Sequence, residues 1–155
     1  MEYLRLLRPA SPLPENCLVF ESAKQAAEAL AAKEGNLLLA TGAKELAQFA
    51  DIPPERLYPR VLPTLESIAA CEAANIPHRN IIAMQGPFSF ALNQAMMEQF
   101  HIRWLVTKDG GAAGGFDEKA AAASAAGAQL VVIRRPPEQG ETAFEVLKRC
   151  KEMIR

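Results

Sequence analysis

The stretch RWLVTKDGGAAGGFDEKAAAASAAGAQLVVIRRPP, residues 103–137, decides the fold. Its apolar opening, Arg103 to Val106, stops at Thr107-Lys108-Asp109-Gly110-Gly111. An alanine-rich helical stretch, Phe116 to Ala126, follows and ends at Gly127, and a second apolar run, Gln129 to Ile133, stops at Arg134-Arg135-Pro136-Pro137. Strand, turn, helix and strand in that order read as one βαβ unit, whose strands are parallel because the helix carries the chain back to the end where it began.

The same grammar extends upstream. The runs Asn36 to Ala40, Leu57 to Leu62 and Asn80 to Met84 end at Thr41-Gly42, at Pro63-Thr64 (with Arg60 inside the run) and at Gln85-Gly86-Pro87-Phe88. Helical stretches separate them, Ala43 to Phe49, Leu65 to Ala74 and Phe88 to Phe100, and Thr142 to Ile154 follows the last strand. In the third of these, Phe88, Leu92, Ala95, Met96 and Gln99 form a one-sided stripe at helical spacing. The alternation predicts an α/β fold, a Rossmann-like three-layer sandwich with a mainly parallel sheet of about five strands. Ahead of it, Cys17 to Phe20 is a short apolar run, and Ser22 is the expected N-cap of a helix over Ala23 to Lys33 that Gly35 closes. Residues 1–16, broken by Pro9, Pro12 and Pro14, read as an interdomain connector or N-terminal arm, and residues 17–155 as a single α/β domain.

Composition narrows the function classes. At 155 residues the chain is long enough for a proper core, and its formal net charge of −1, with acids and bases interspersed, predicts neither a nucleic-acid nor a membrane-surface partner. No run reaches the roughly 20 apolar residues of a membrane span and no signal-peptide pattern is present, so a cytoplasmic protein is expected. Cys17, Cys71 and Cys150 are scattered and read as buried thiols. His78 and His101, the only 2 histidines, make no zinc constellation, and no metal is expected.

In an open parallel sheet all strand ends of one kind lie on one edge, and ligands bind in the crevice outside the carboxyl ends. That rule turns the five terminators into candidate binding residues. Thr107, Lys108, Asp109, Gly110 and Gly111 sit between a strand and a helix, where glycine backbone N–H groups, a hydroxyl and an ammonium suit a phosphate or carboxylate. Gln85 offers donors and acceptors, Gly86 a tight turn, Pro87 the first turn of a helix, and Phe88 a crevice wall or a first core contact. Arg134 and Arg135 point to opposite faces, so at most one of them is expected to reach the crevice, the other being solvated. Arg60 is a further basic candidate, the other reading being a surface ion pair, and Thr41 and Gly42 gain interest from sharing the edge. A nucleophile elbow, a complete P-loop and a clean GxGxxG are all missing.

Together the strand ends resemble the precorrin-6A reductases, including the cobalt-precorrin-6A reductases, of cobalamin biosynthesis. The likeness rests on Leu38-Leu39-Ala40-Thr41-Gly42 with Glu45-Leu46, Arg60, Gln85-Gly86-Pro87-Phe88, Leu105-Val106-Thr107-Lys108 with its glycines, and Val132-Ile133-Arg134-Arg135-Pro136. Tyr3 to Pro9 is similar to the segment joining the two halves of that family. The family usually has asparagine or serine before the glycines, where this chain has Asp109. Its members are longer, with an N-terminal Rossmann-like half that nothing here matches, so the resemblance implies the C-terminal domain, inactive by itself and partnered by the missing N-terminal domain. It also implies NADPH as cofactor and reduction of a double bond in a carboxylate-rich tetrapyrrole, with Lys108, Arg60 and Arg134 or Arg135 anchoring substrate or phosphate, Gln85, Gly86, Thr107 and Gly110 lining the cleft, and no residue singled out as catalytic. The alternative is a stand-alone, non-catalytic nucleotide- or anion-binding α/β module.

Overall fold

A computed structural model describes residues 17–108 and 116–134. The expected arm over residues 1–16, the candidates Asp109, Gly110, Gly111 and Arg135, Cys150 and the helix over residues 142–154 lie outside the described residues.

Among the described residues six strands form one sheet: β1 (Leu18–Phe20), β2 (Asn36–Leu39), β3 (Leu57–Val61), β4 (Ile82–Ala83), β5 (Ile102–Lys108) and β6 (Gln129–Ile133), in the order β1-β6-β5-β2-β3-β4. Every pairing is parallel. The expected count of about five becomes six because the short run at Leu18–Phe20 pairs with β6 at the sheet edge. Three residues are too few to read as a strand by periodicity; the β6 edge supplies the backbone partners.

Four helices among the described residues cover the sheet: α1 (Ala23–Ala31), α2 (Leu65–Ala73), α3 (Phe90–Gln99) and α4 (Phe116–Ala126), with a 3₁₀ segment at Ala43–Phe49. Side-chain caps set three helix starts: the hydroxyls of Ser22, Thr64 and Ser89 accept from the backbone N–H of Gln25, Ser67 and Leu92. The expected α3 start at Phe88 therefore moves to Phe90, because Ser89 is extended and caps the helix, while Gly86–Pro87 is a cis peptide outside it.

Strand side chains alternate between two cores. Leu37, Leu39, Trp104, Val106, Val131 and Ile133 pack under α1, α2 and the 3₁₀ segment, whereas Leu38, Leu105, Leu130 and Val132 pack under α3 and α4. Helices on both faces bury both sides of the strands, which is why the strand sequences are continuously apolar. On α3 the buried face is Asn93, Met96 and Met97, with Leu92 beside it, while Ala95 and Gln99 are exposed, so the expected stripe is rotated by about one position toward Asn93.

The amino ends of the strands are closed by polar bonds. Asn36 Nδ2 donates to the Phe100 carbonyl at 2.8 Å, Trp104 Nε1 to the Glu34 carbonyl at 2.9 Å, and Arg56 Nε to the Gly35 carbonyl at 2.7 Å. Gly35 has φ +111°, and a Cβ there would lie 2.5 Å from the Arg103 Cβ, so this turn admits only glycine. The pairing shifts beside it, Asn36 facing Ile102 and Leu37 facing Trp104, which leaves Arg103 as a bulge.

Strand order locates the crevice. From β2 the chain passes through the 3₁₀ segment to β3 on one side, whereas from β5 it passes through α4 to β6 on the other. The order thus reverses between β2 and β5, which makes their carboxyl ends, Ala40–Gly42 and Thr107–Lys108, the topological switch point.

Candidate functional site

A cavity of about 1180 Å³ opens at this edge. Loops after β2, β3 and β4 line it with Ala40, Thr41, Gly42, Leu62, Met84, Gly86, Pro87 and Phe88, β3 contributes Arg60 and Val61, and α2, α3, β5 and α4 contribute Ser67, Asn93, Lys108 and Lys119. Its size exceeds the range of about 300–1,000 Å³ usual for a single small-molecule site.

At the end of β2, Thr41 Oγ1 is buried with no hydrogen-bond partner, the one such side-chain atom among the described residues. Buried hydroxyls are otherwise paired, because an unmade bond costs about 1–3 kcal/mol. Gly42 follows at φ +86°, with no atom within 4 Å of where a Cβ would stand. The turn thus pairs a left-handed backbone with open space beside the main chain.

At the end of β3, Arg60 is 7% exposed. One guanidinium nitrogen donates to Asn93 Oδ1 at 2.7 Å and lies 3.5 Å from Met96 Sδ, and the guanidinium carbon stands 3.9 Å above the Phe88 ring. Asn93 is fully buried and its amide is fixed in turn, Nδ2 donating to the carbonyls of Ser89 at 2.9 Å and Phe88 at 3.3 Å. Loss of solvation lowers the Arg60 pKa to about 10. Lys119, in the first turn of α4, has its pKa lowered to about 8, first by burial and then by the Arg60 charge. Neither cation makes an ion pair with an acid among the described residues.

The other basic candidates are matched. Lys108 Nζ bonds Glu45 Oε2 at 2.9 Å, both at the cavity rim. Arg134 is exposed, lies 3.9 Å from Glu21 and stands beside β1, away from the cavity. Gln85 is exposed and does not line the cavity, whereas Gly86, Pro87 and Phe88 do. Thr107 is buried on β5 and its hydroxyl lies 3.4 Å from the Lys108 carbonyl. His78 is exposed and bonded to Glu72 at 2.9 Å. Among the described residues no cluster of His, Cys, Asp or Glu would hold a metal ion, and no helix is long and apolar enough to cross a membrane.

Sequence reasoning missed Asn93 and Lys119. Asn93 carried a weak signal, a polar residue inside the helical face that also bears Met96 and Met97. Lys119 carried none, being one lysine ahead of an alanine run.

The fold and the site define a Rossmann-like domain with an open cavity at the switch point of a doubly wound parallel sheet. The sequence profile of the family described as Precorrin-6x reductase CbiJ/CobK matches residues 1–154. The chain belongs to that family. It is 33% identical over 114 residues to a cobalt-precorrin-6A reductase of Priestia megaterium, covering 70% of this chain and 45% of that one. It is 36% identical over 112 residues to a cobalt-precorrin-6A reductase of Methanococcus maripaludis, covering 70% and 43%. A solved structure titled CobK precorrin-6A reductase superposes with a TM-score of 0.66 at 20% identity, over 86% of this chain and 53% of that one, a likeness of fold. The chain thus spans about half the length of the relatives it matches.

Proposed function

We propose that this chain forms the C-terminal part of an NADPH-dependent precorrin-6A or cobalt-precorrin-6A reductase, which reduces a double bond of a carboxylate-rich tetrapyrrole in cobalamin biosynthesis. The observation that carries the reading is the cavity at the switch point, where Thr41 Oγ1 is orphaned and Arg60 and Lys119 have no acidic partner among the described residues. A polar ligand would satisfy the first, and an anionic one the other two.

The residues present fit the cofactor. Thr41 and Gly42, at the turn where a buried hydroxyl is unpaired and the backbone is open, would hold a polar part of NADPH against the end of β2. Bound there, NADPH supplies the hydride. The chain's own work is positioning: Arg60 is held rigid by Asn93 and Phe88, the apolar wall of Met84, Pro87 and Phe88 displaces water, and the Lys108–Glu45 pair closes the rim. The remaining half of the relatives' length would supply the facing wall, and turnover requires both halves.

The test is a fluorescence titration of NADPH, and separately of uroporphyrin, an eight-carboxylate tetrapyrrole, against the 155-residue chain and its Thr41→Val variant. Saturable binding of both is expected, with NADPH about tenfold weaker in the variant, as for a lost hydrogen bond of about 1.4 kcal/mol. Binding of neither ligand would refute the reading.

A further inference from the structure

Arg60 and Lys119 come from different ends of the chain's α/β units, yet both face the one cavity. Arg60 is the charged residue most deeply buried among those described, and its partners there are an amide, a thioether and an aromatic ring, none of them negative. Lys119 has no hydrogen bond or ion pair among the described residues, and the charge that acts on it is Arg60, a like charge lining the same cavity. Glu66 lines the cavity from α2 but is exposed and makes no ion pair with either. Two partly desolvated cations lining one cavity are unfavourable in the free protein, and an anion bound to both relieves them.

We infer that Arg60 and Lys119 form one carboxylate-binding subsite on the α3 and α4 side of the cavity, with Asn93 as the residue that positions Arg60. The geometry selects a planar anion. Phe88 covers a face of the guanidinium and Asn93 occupies one donor, so the donors left free lie in the guanidinium plane, the fork that a carboxylate matches edge to edge. Phosphate in such folds is held at a turn by backbone N–H groups, and in this chain the open turn is at Gly42, on the neighbouring strand. The subsite thus divides the cavity: the β2 end takes the cofactor and the β3 end takes an acidic side chain of the substrate. The inference rests on the proposed reductase reading only for the source of the carboxylate.

The experiment is an NMR titration of the full 155-residue chain carrying labelled lysine and arginine, following the Lys119 Cε–Hε and Arg60 Nε–Hε signals. Glutarate, inorganic phosphate, uroporphyrin and NADPH are added separately. Glutarate is expected to move both signals saturably and more tightly than phosphate, to bind about tenfold more weakly to Lys119→Met, and to recover in Lys119→Arg. Displacement of glutarate by uroporphyrin supports the substrate as its source. Phosphate moving both signals more tightly than glutarate, or glutarate leaving either signal unmoved, overturns the subsite, and NADPH binding in that case leaves the reductase reading in place. Glutarate moving both signals while uroporphyrin neither binds nor competes keeps the subsite and removes the tetrapyrrole.

Discussion

Replacing Arg60 by methionine should cost the fold almost nothing, although Arg60 is buried and hydrogen-bonded. The reason lies in the size of the opposing terms. Lowering of its pKa to about 10 by burial means that the folded state holds the charge at a cost of about 3 kcal/mol relative to the unfolded chain. Methionine removes that cost and fills a similar channel beside Phe88 and Met96. Against the gain stand the loss of cation–π attraction, about 1–2 kcal/mol, and an Asn93 Oδ1 left without its donor, about 1–3 kcal/mol. The terms nearly cancel, so Arg60→Met should lie within about 1 kcal/mol of the parent chain. Adding Asn93→Leu removes the orphaned acceptor but also the two bonds from Asn93 Nδ2 to the Ser89 and Phe88 carbonyls, so the double variant should stay within about 2 kcal/mol. Urea unfolding followed by far-UV circular dichroism and by the fluorescence of Trp104, the only tryptophan, measures both variants. Binding of glutarate should meanwhile fall by at least tenfold in each. A loss of 3 kcal/mol or more in Arg60→Met would show that the guanidinium supports the fold, and would refute the argument that a charge costly to the free protein is held for a ligand.

Three further predictions follow from other residues. Because the Lys119 pKa of about 8 lies below its ordinary value, the free protein's stability should rise with pH from about 8 toward the range where an unfolded lysine titrates, since the unfolded chain then binds the extra proton. Glutarate affinity should fall over the same interval; Arg60, Glu66 and Lys44 are the other charges lining the cavity and Lys108–Glu45 the rim pair, and Lys119→Arg should flatten the profile measured between pH 7 and 9.5. Thr41→Val should keep or raise stability by up to about 1 kcal/mol in urea unfolding while weakening NADPH, because it deletes a hydroxyl that the free fold leaves unpaired. Gly35→Ala should lower stability by about 2 kcal/mol or more in thermal unfolding, since the left-handed backbone and the 2.5 Å approach to Arg103 Cβ add together; an unchanged midpoint would refute the close packing of that turn.

The chain's own order of residues determined the alternation of strand and helix, the caps at Ser22 and the close at Gly35, and the fact that Thr41, Arg60, Phe88 and Lys108 share one sheet edge. These are local signals: apolar period, turn chemistry and the parallel βα rule act over about ten residues at a time. Strand order is not local. Only tertiary structure placed β2 beside β5, made their ends the switch point, and left Arg134 at the far side beside β1. The same holds for charge. Lys108 was a free cation in the sequence until folding set it 2.9 Å from Glu45, 63 positions away, and Arg60 was a surface candidate until Asn93 and Phe88 closed over it. Desolvation and pairing depend on what the rest of the chain brings within a few ångströms, and that is a property of the packed sheet and helices.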